Sequence, residues 1–184
     1  MSNDQKNMKA LTTKQDGYSV IELLIVIGVI AFLIIIVFTI GTMLWGKSKD
    51  QQMTSGVDAI SQGIHSIYAA AGGNYNDVSS LVAIRSGSVP STLVKDSAAG
   101  IIGTAWYGDD NASTIVVNPA QGGRQFSVQL NAIPSSSCTS IGSKYLNGNA
   151  ISVSANGQVA NGPGELATAC AGNGDTANLT INFS

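Results

Sequence analysis

The sequence predicts an α+β fold: a long N-terminal α-helix, apolar over its first half, with its second half packed on a mainly antiparallel β-sheet head. Three observations carry this. Residues 23–45 hold no charged side chain and no proline. An amphipathic stripe at helical spacing follows them. Beyond residue 100, short alternating apolar runs are separated by turn residues. A helix with one apolar stripe needs a sheet face to bury it against.

Residues 1–17 are polar, with Lys6, Lys9 and Lys14 set against Asp4 and Asp16. They read as a leader. The apolar run after them is too long for a secretory signal core, and no small-residue cleavage site closes it. The candidate processing point lies before the run, between Gly17 and Tyr18.

Residues 18–45 form the hydrophobic segment. At ~1.5 Å per residue its uncharged part is about 35 Å long as a helix, enough for a bilayer core of about 30 Å. Glu22 is the only charged side chain between Asp16 and Lys47. A carboxylate at the mouth of such a run calls for a partner.

Residues 46–72 continue the helix. Val57, Ile60, Ile64, Ile67 and Ala71 make the apolar stripe. Gly56 and Gly63 lie on nearly one face, where another element can approach closely. Gly41 and Gly46 are the weak points, since glycine costs about 1 kcal/mol in a helix. Gly72-Gly73 is the stop.

Residues 73–184 form the α+β head. Residues 78–85 predict a short helix that ends before Ser88-Val89-Pro90. Strands are expected at 101–107, 114–117, 125–133, 150–154 and 178–184. A short helix opening at Pro134-Ser135 carries Cys138 and Ile141. The two cysteines, Cys138 and Cys170, both fall in the head. An even count beyond a membrane-crossing segment reads as one disulfide in an oxidising compartment; the other reading is two separate thiols. The segment 138–170 is rich in Gly, Asn, Ser and Ala and is expected to bury little apolar surface.

Composition excludes some functions. Net charge is −2, and the basic residues beyond the apolar run are scattered, which leaves no footprint of a specific nucleic-acid partner. The single histidine, His65, cannot build a multi-histidine metal site. With no G-x-S-x-G elbow it reads as a helix-surface residue. Asp109-Asp110-Asn111 lacks calcium-loop spacing and reads as a turn. Asn161-Gly162-Pro163-Gly164 matches no phosphate loop and reads as a plain loop. No catalytic residue, metal site or cofactor is expected, and the chain does not read as an enzyme.

The string Gly17-Tyr18-Ser19-Val20-Ile21-Glu22-Leu23-Leu24-Ile25-Val26 resembles the processing site of type IV prepilins. Gly73-Asn74-Tyr75, Ser86-Gly87-Ser88-Val89-Pro90 and the late cysteine pair are similar to the type IVb branch. The sequence departs from the family in having Tyr18 at the first mature position. It also lacks a proline near Thr39, so no proline kink is expected.

The resemblance implies cleavage after Gly17 by a prepilin peptidase and N-methylation of Tyr18. It implies an assembly role for Glu22, the fifth residue from Tyr18. It implies a chain held in the inner membrane, then polymerised by the pilus assembly machinery into an extracellular filament of identical subunits. The tasks it implies include adhesion, aggregation and conjugation. Two other readings stand beside it: a minor pilin or type II secretion pseudopilin, and a membrane-tethered periplasmic binding domain.

Overall fold

The structure, a computed structural model, describes residues 19–172 and 174–184, and of residues 38–45 the backbone alone. The expected leader, 1–17, and the expected processing pair Gly17 and Tyr18 lie outside the described residues. The chain divides into two compact units, one extending to Thr42 and the other Met43–Ser184.

Helix α1 (Val20–Ala69) is continuous, and its backbone stays helical through Gly41 and Gly46. It ends at the expected pair of glycines. The Gly73 N–H donates to Tyr68 O at 3.0 Å and the Gly72 N–H to Ala69 O at 3.3 Å. Both glycines have φ above +70°. This is a Schellman stop, in which glycine supplies the left-handed backbone without a Cβ penalty.

Within Met43–Ser184 the buried stripe of α1 is Met53, Val57, Ile60, Ile64 and Tyr68. The expected stripe was right for its first three members and wrong for the last two. Ile67 is 40 % exposed, and Ala71 lies past the helix end. Steps of four after Ile60 keep pace with 3.6 residues per turn, and Tyr68 takes the place given to Ile67.

Strands β1 (Val94–Asp96), β2 (Ile101–Gly103), β3 (Thr114–Ala120), β4 (Gln125–Pro134), β5 (Ser152–Ala155), β6 (Gln158–Ala160) and β7 (Thr176–Phe183) form one sheet. Its order is β1-β2-β3-β4-β7-β5-β6, and each pairing is antiparallel. Helix α2 (Ser80–Arg85) precedes the sheet. Helices α3 (Ser135–Leu146) and α4 (Pro163–Ala171) lie in sequence on either side of the β5–β6 hairpin. Phe126, Val128, Leu130, Leu179, Ile181 and Phe183 interleave on β4 and β7 as the centre of the core.

Several expected elements differ. The strand expected at 101–107 stops at Gly103, because Thr104 turns the chain. The Thr104 hydroxyl contacts the Ser113 hydroxyl, and Thr104 Oγ1 accepts the Trp106 N–H. Such local bonding competes with a strand ladder. The strand expected at 114–117 runs on through Pro119. β2 covers only Thr114 and Ile115 on one side of it, so Pro119 sits where no ladder donor is needed. On that same strand the Val117 N–H donates to Ser80 Oγ at 2.9 Å.

Strands β1 and β6 and helix α4 were not foreseen. Asn156-Gly157 closes the β5–β6 hairpin with φ of 50° and 82°, the left-handed pair that two-residue hairpins require. Asn161-Gly162-Pro163-Gly164 is not a plain loop, because Pro163 opens α4 and Glu165 lies in its first turn. The segment 138–170 is a correction too. Ile141, Tyr145, Val153, Leu166 and Ala169 within it are buried.

Gly56 and Gly63 do admit close neighbours. A Cβ on Gly56 would lie 2.7 Å from Leu93 Cδ1, and one on Gly63 would lie 2.5 Å from Ser88 Cβ and 2.9 Å from Ser88 Cα. At Gly46 a Cβ would meet nothing within 4 Å. The same substitution therefore has opposite signs along one helix. G63A is expected to destabilise the head by about 1–3 kcal/mol through overpacking. G46A is expected to stabilise the helix by up to about 1 kcal/mol. Urea unfolding of both variants checks the pair.

Candidate assembly site

The first unit offers an apolar helical surface with one carboxylate. In Val20–Val37 the helix is long and apolar enough to cross a membrane. Its large side chains are exposed in the single chain, from 37 % at Ile36 to 78 % at Val20. Glu22 is exposed in the first turn. The Ser19 carbonyl accepts the Glu22 N–H at 2.9 Å and the Leu23 N–H at 3.2 Å, which starts the helix. Among the described residues, Glu22 has no ion-pair partner; the ion pair present is Lys49 with Asp109 at 3.0 Å. Ser19-Val20-Ile21-Glu22 also has the S-x-x-E spacing of a capping box. A carboxylate there favours the positive end of the helix dipole. The sequence carries this signal at Ser19 and Glu22.

In the second unit Cys138 and Cys170 are joined as a disulfide, with their Cα atoms 5.9 Å apart. Both are fully buried. The bond ties α3 to α4. Asn156 Nδ2 donates to Ala169 O at 2.8 Å, beside Cys170. Asn156 Oδ1 accepts the Asn178 N–H, and Asn178 Oδ1 accepts the Ala132 N–H, each at 2.9 Å. These bonds hold the hairpin turn, β7 and the irregularity in β4 together.

Two side chains of α1 fasten it to the head in ways no local pattern announces. Tyr145 OH lies 2.7 Å from Asp58 Oδ1 and 3.1 Å from Thr54 O. Its single proton is best given to the carboxylate, the closer and charged acceptor. Burial, reinforced by Asp58, drives the Tyr145 phenol far above its ordinary range.

His65, expected on the surface, is half-buried instead. Its Nδ1 lies 3.0 Å from Tyr75 OH. Its ring meets Phe126 edge-on with centroids 5.1 Å apart. Burial lowers the His65 pKa below its ordinary value. The folded head therefore prefers the neutral ring, and the unfolded chain binds the extra proton first. The stability this gives is present above about pH 6.5 and declines as pH falls through that value. Replacing His65 with Gln is expected to flatten this acid-side loss, read as unfolding midpoints between pH 7 and pH 5.

The profile of the PilS N-terminal family matches residues 47–184. The crystal structure of a type IVb pilin from Salmonella typhi is similar at TM-score 0.52 and 18 % sequence identity, covering 71 % of this chain and 98 % of that one. No curated protein matches the sequence. The chain belongs to the PilS N-terminal family of type IV pilins, and its apolar N-terminal helix followed by an antiparallel sheet head is the pilin fold. Members of this family are structural subunits rather than enzymes.

Proposed function

We propose that the chain is a structural subunit of a type IVb pilus. It is made as a prepilin and cut between Gly17 and Tyr18 by a prepilin peptidase, with methylation of the new amino group at Tyr18. Residues 18–45 hold it in the inner membrane until the assembly machinery polymerises it. The extracellular filament serves adhesion, aggregation or conjugation. Neither catalysis nor a cofactor has a part in this reading.

The observation that carries it is the joint presence of a pilin head and a membrane-length helix bearing one carboxylate in its first turn. Exposed helices of this kind leave lipid for one another in a filament, and head-to-tail contacts that do not close make the helical array. The carboxylate then needs a cation, because an unpaired charge in a low-dielectric core is prohibitive. The freed amino group of a neighbouring subunit supplies one.

The test is the intact mass of protein sheared from the cell surface, before and after reduction. A chain beginning at Tyr18, carrying one added methyl and oxidised cysteines, is the expected result. A chain beginning at Met1 and confined to the membrane fraction overturns the reading.

A further inference from the structure

The head carries a polar cleft of about 470 Å³, lined by Lys47, Asp50, Gln51, Thr54 and Ser55 of α1 and by Ser140 and Lys144 of α3. Its chemistry is two-sided. Lys47 and Lys144 are exposed cations, and among the described residues neither has an ion-pair partner. Lys144 Nζ donates to Thr54 Oγ1 at 3.0 Å, which leaves it two further N–H donors. Asp50 Oδ1 is buried and has no hydrogen-bond partner among the described residues. That oxygen is closed to solvent, but Asp50 as a whole is half-buried at the cleft wall and brings a negative charge to its lining.

A ligand that completes this cleft brings an anion for the two lysines and hydroxyls, and an N–H donor for Asp50. We propose that the cleft binds the headgroup of an ethanolamine phospholipid, with the phosphate between Lys47 and Lys144 and the ammonium on Asp50. This rests on the membrane-anchored stage proposed above. The position of the cleft in the chain points to lipid rather than to another protein. The uncharged run ends at Trp45, and tryptophan favours the headgroup level. At ~1.5 Å per residue, Asp50 lies about 7–8 Å along the helix beyond Trp45. The headgroup layer is roughly 5–7 Å deep on each side, so Lys47 lies within it and Asp50 at its outer edge. Asp50 also selects among headgroups. Choline carries no N–H to give, and glycerol carries no cation.

The test is native mass spectrometry of the full chain, released from mild detergent with added phosphatidylethanolamine, phosphatidylcholine or phosphatidylglycerol of matched acyl chains. Several-fold greater retention of phosphatidylethanolamine is expected. D50N, close to isosteric, is expected to remove the preference while leaving some binding of all three lipids. K47Q, on the exposed rim, is expected to weaken all three. Equal retention of the lipids overturns the proposal, as does a preference that survives D50N. Free phosphoethanolamine is expected to compete only at much higher concentration than the lipid. Competition at equal concentration would make the ligand a soluble phosphate and overturn the membrane assignment. Flotation of the chain with vesicles of any composition tests the anchored stage separately.

Discussion

A chain carrying E22Q is expected to reach the membrane and yield no filaments in the sheared fraction. In the single chain Glu22 stands exposed at the first turn of an apolar helix. Bundling such helices removes the carboxylate from water. With an amino group from a neighbouring subunit beside it, the two charges offset each other. Glutamine has nearly the same shape but carries no charge, so the amino group is left buried and alone. Breaking a buried pair from one side costs about 3–5 kcal/mol. That is a loss of more than about a hundredfold in affinity at each subunit contact, and a polymer multiplies it along its length.

The capping geometry supplies the contrast. If Glu22 only favours the helix dipole, its loss costs about 0.3–1 kcal/mol and filaments persist. Electron microscopy and immunoblotting of sheared and membrane fractions separate the two. Wild-type quantities of E22Q filaments would sink the pairing role.

Replacing both cysteines, as C138A/C170A, is expected to have the largest effect on the head itself. The bond closes a loop with a sequence separation of 32. In the chain-entropy model that is worth about 3–4 kcal/mol. Because both sulfurs are fully buried, alanine leaves a small cavity but no unsatisfied hydroxyl, as serine would. The melting temperature is expected to fall on the order of 10 °C. Circular dichroism of the oxidised wild type, the reduced wild type and the double variant checks it. Reduction alone is expected to reproduce most of the loss. A variant that melts with the oxidised wild type would mean that α3 and α4 are held by packing alone.

The first half of the molecule was legible because its signals are local and strong. Residues 23–45 carry no charge, and Gly72-Gly73 stops a helix by its own backbone freedom. Gly56 and Gly63 marked a close approach seven residues apart, though nothing in the sequence named Leu93 and Ser88 as the neighbours. The processing pair rests on a motif alone and lies outside the described residues. The region between the cysteines was misread because its apolar residues are sparse and single. Val153 is buried beside Ile181 of β7, which lies outside the region, and Leu166 beside Gly142 of α3, some twenty residues earlier within it. Its composition said loop, whereas Asn156-Gly157 and Pro163 with Glu165 carried the local geometry of a hairpin and a helix. Tyr145 and Asp58, 87 residues apart, meet only through the tertiary fold. The same holds for the cleft around Asp50.

The place of β7 in the sheet has a consequence for timing. It follows the six other strands in the chain, yet it lies between β4 and β5, and its pairing with β4 runs from Phe126↔Phe183 to Pro134↔Thr176. Until those residues arrive, β4 and the β5–β6 hairpin each present an open edge. Such edges are hazards for mispairing, and contacts between distant residues form slowly. A chain emerging amino end first thus cannot finish its head early. On the proposed function the N-terminal helix would enter the bilayer while the sheet is still incomplete, so completion of the sheet would act as a late checkpoint on which subunits are fit to be built in.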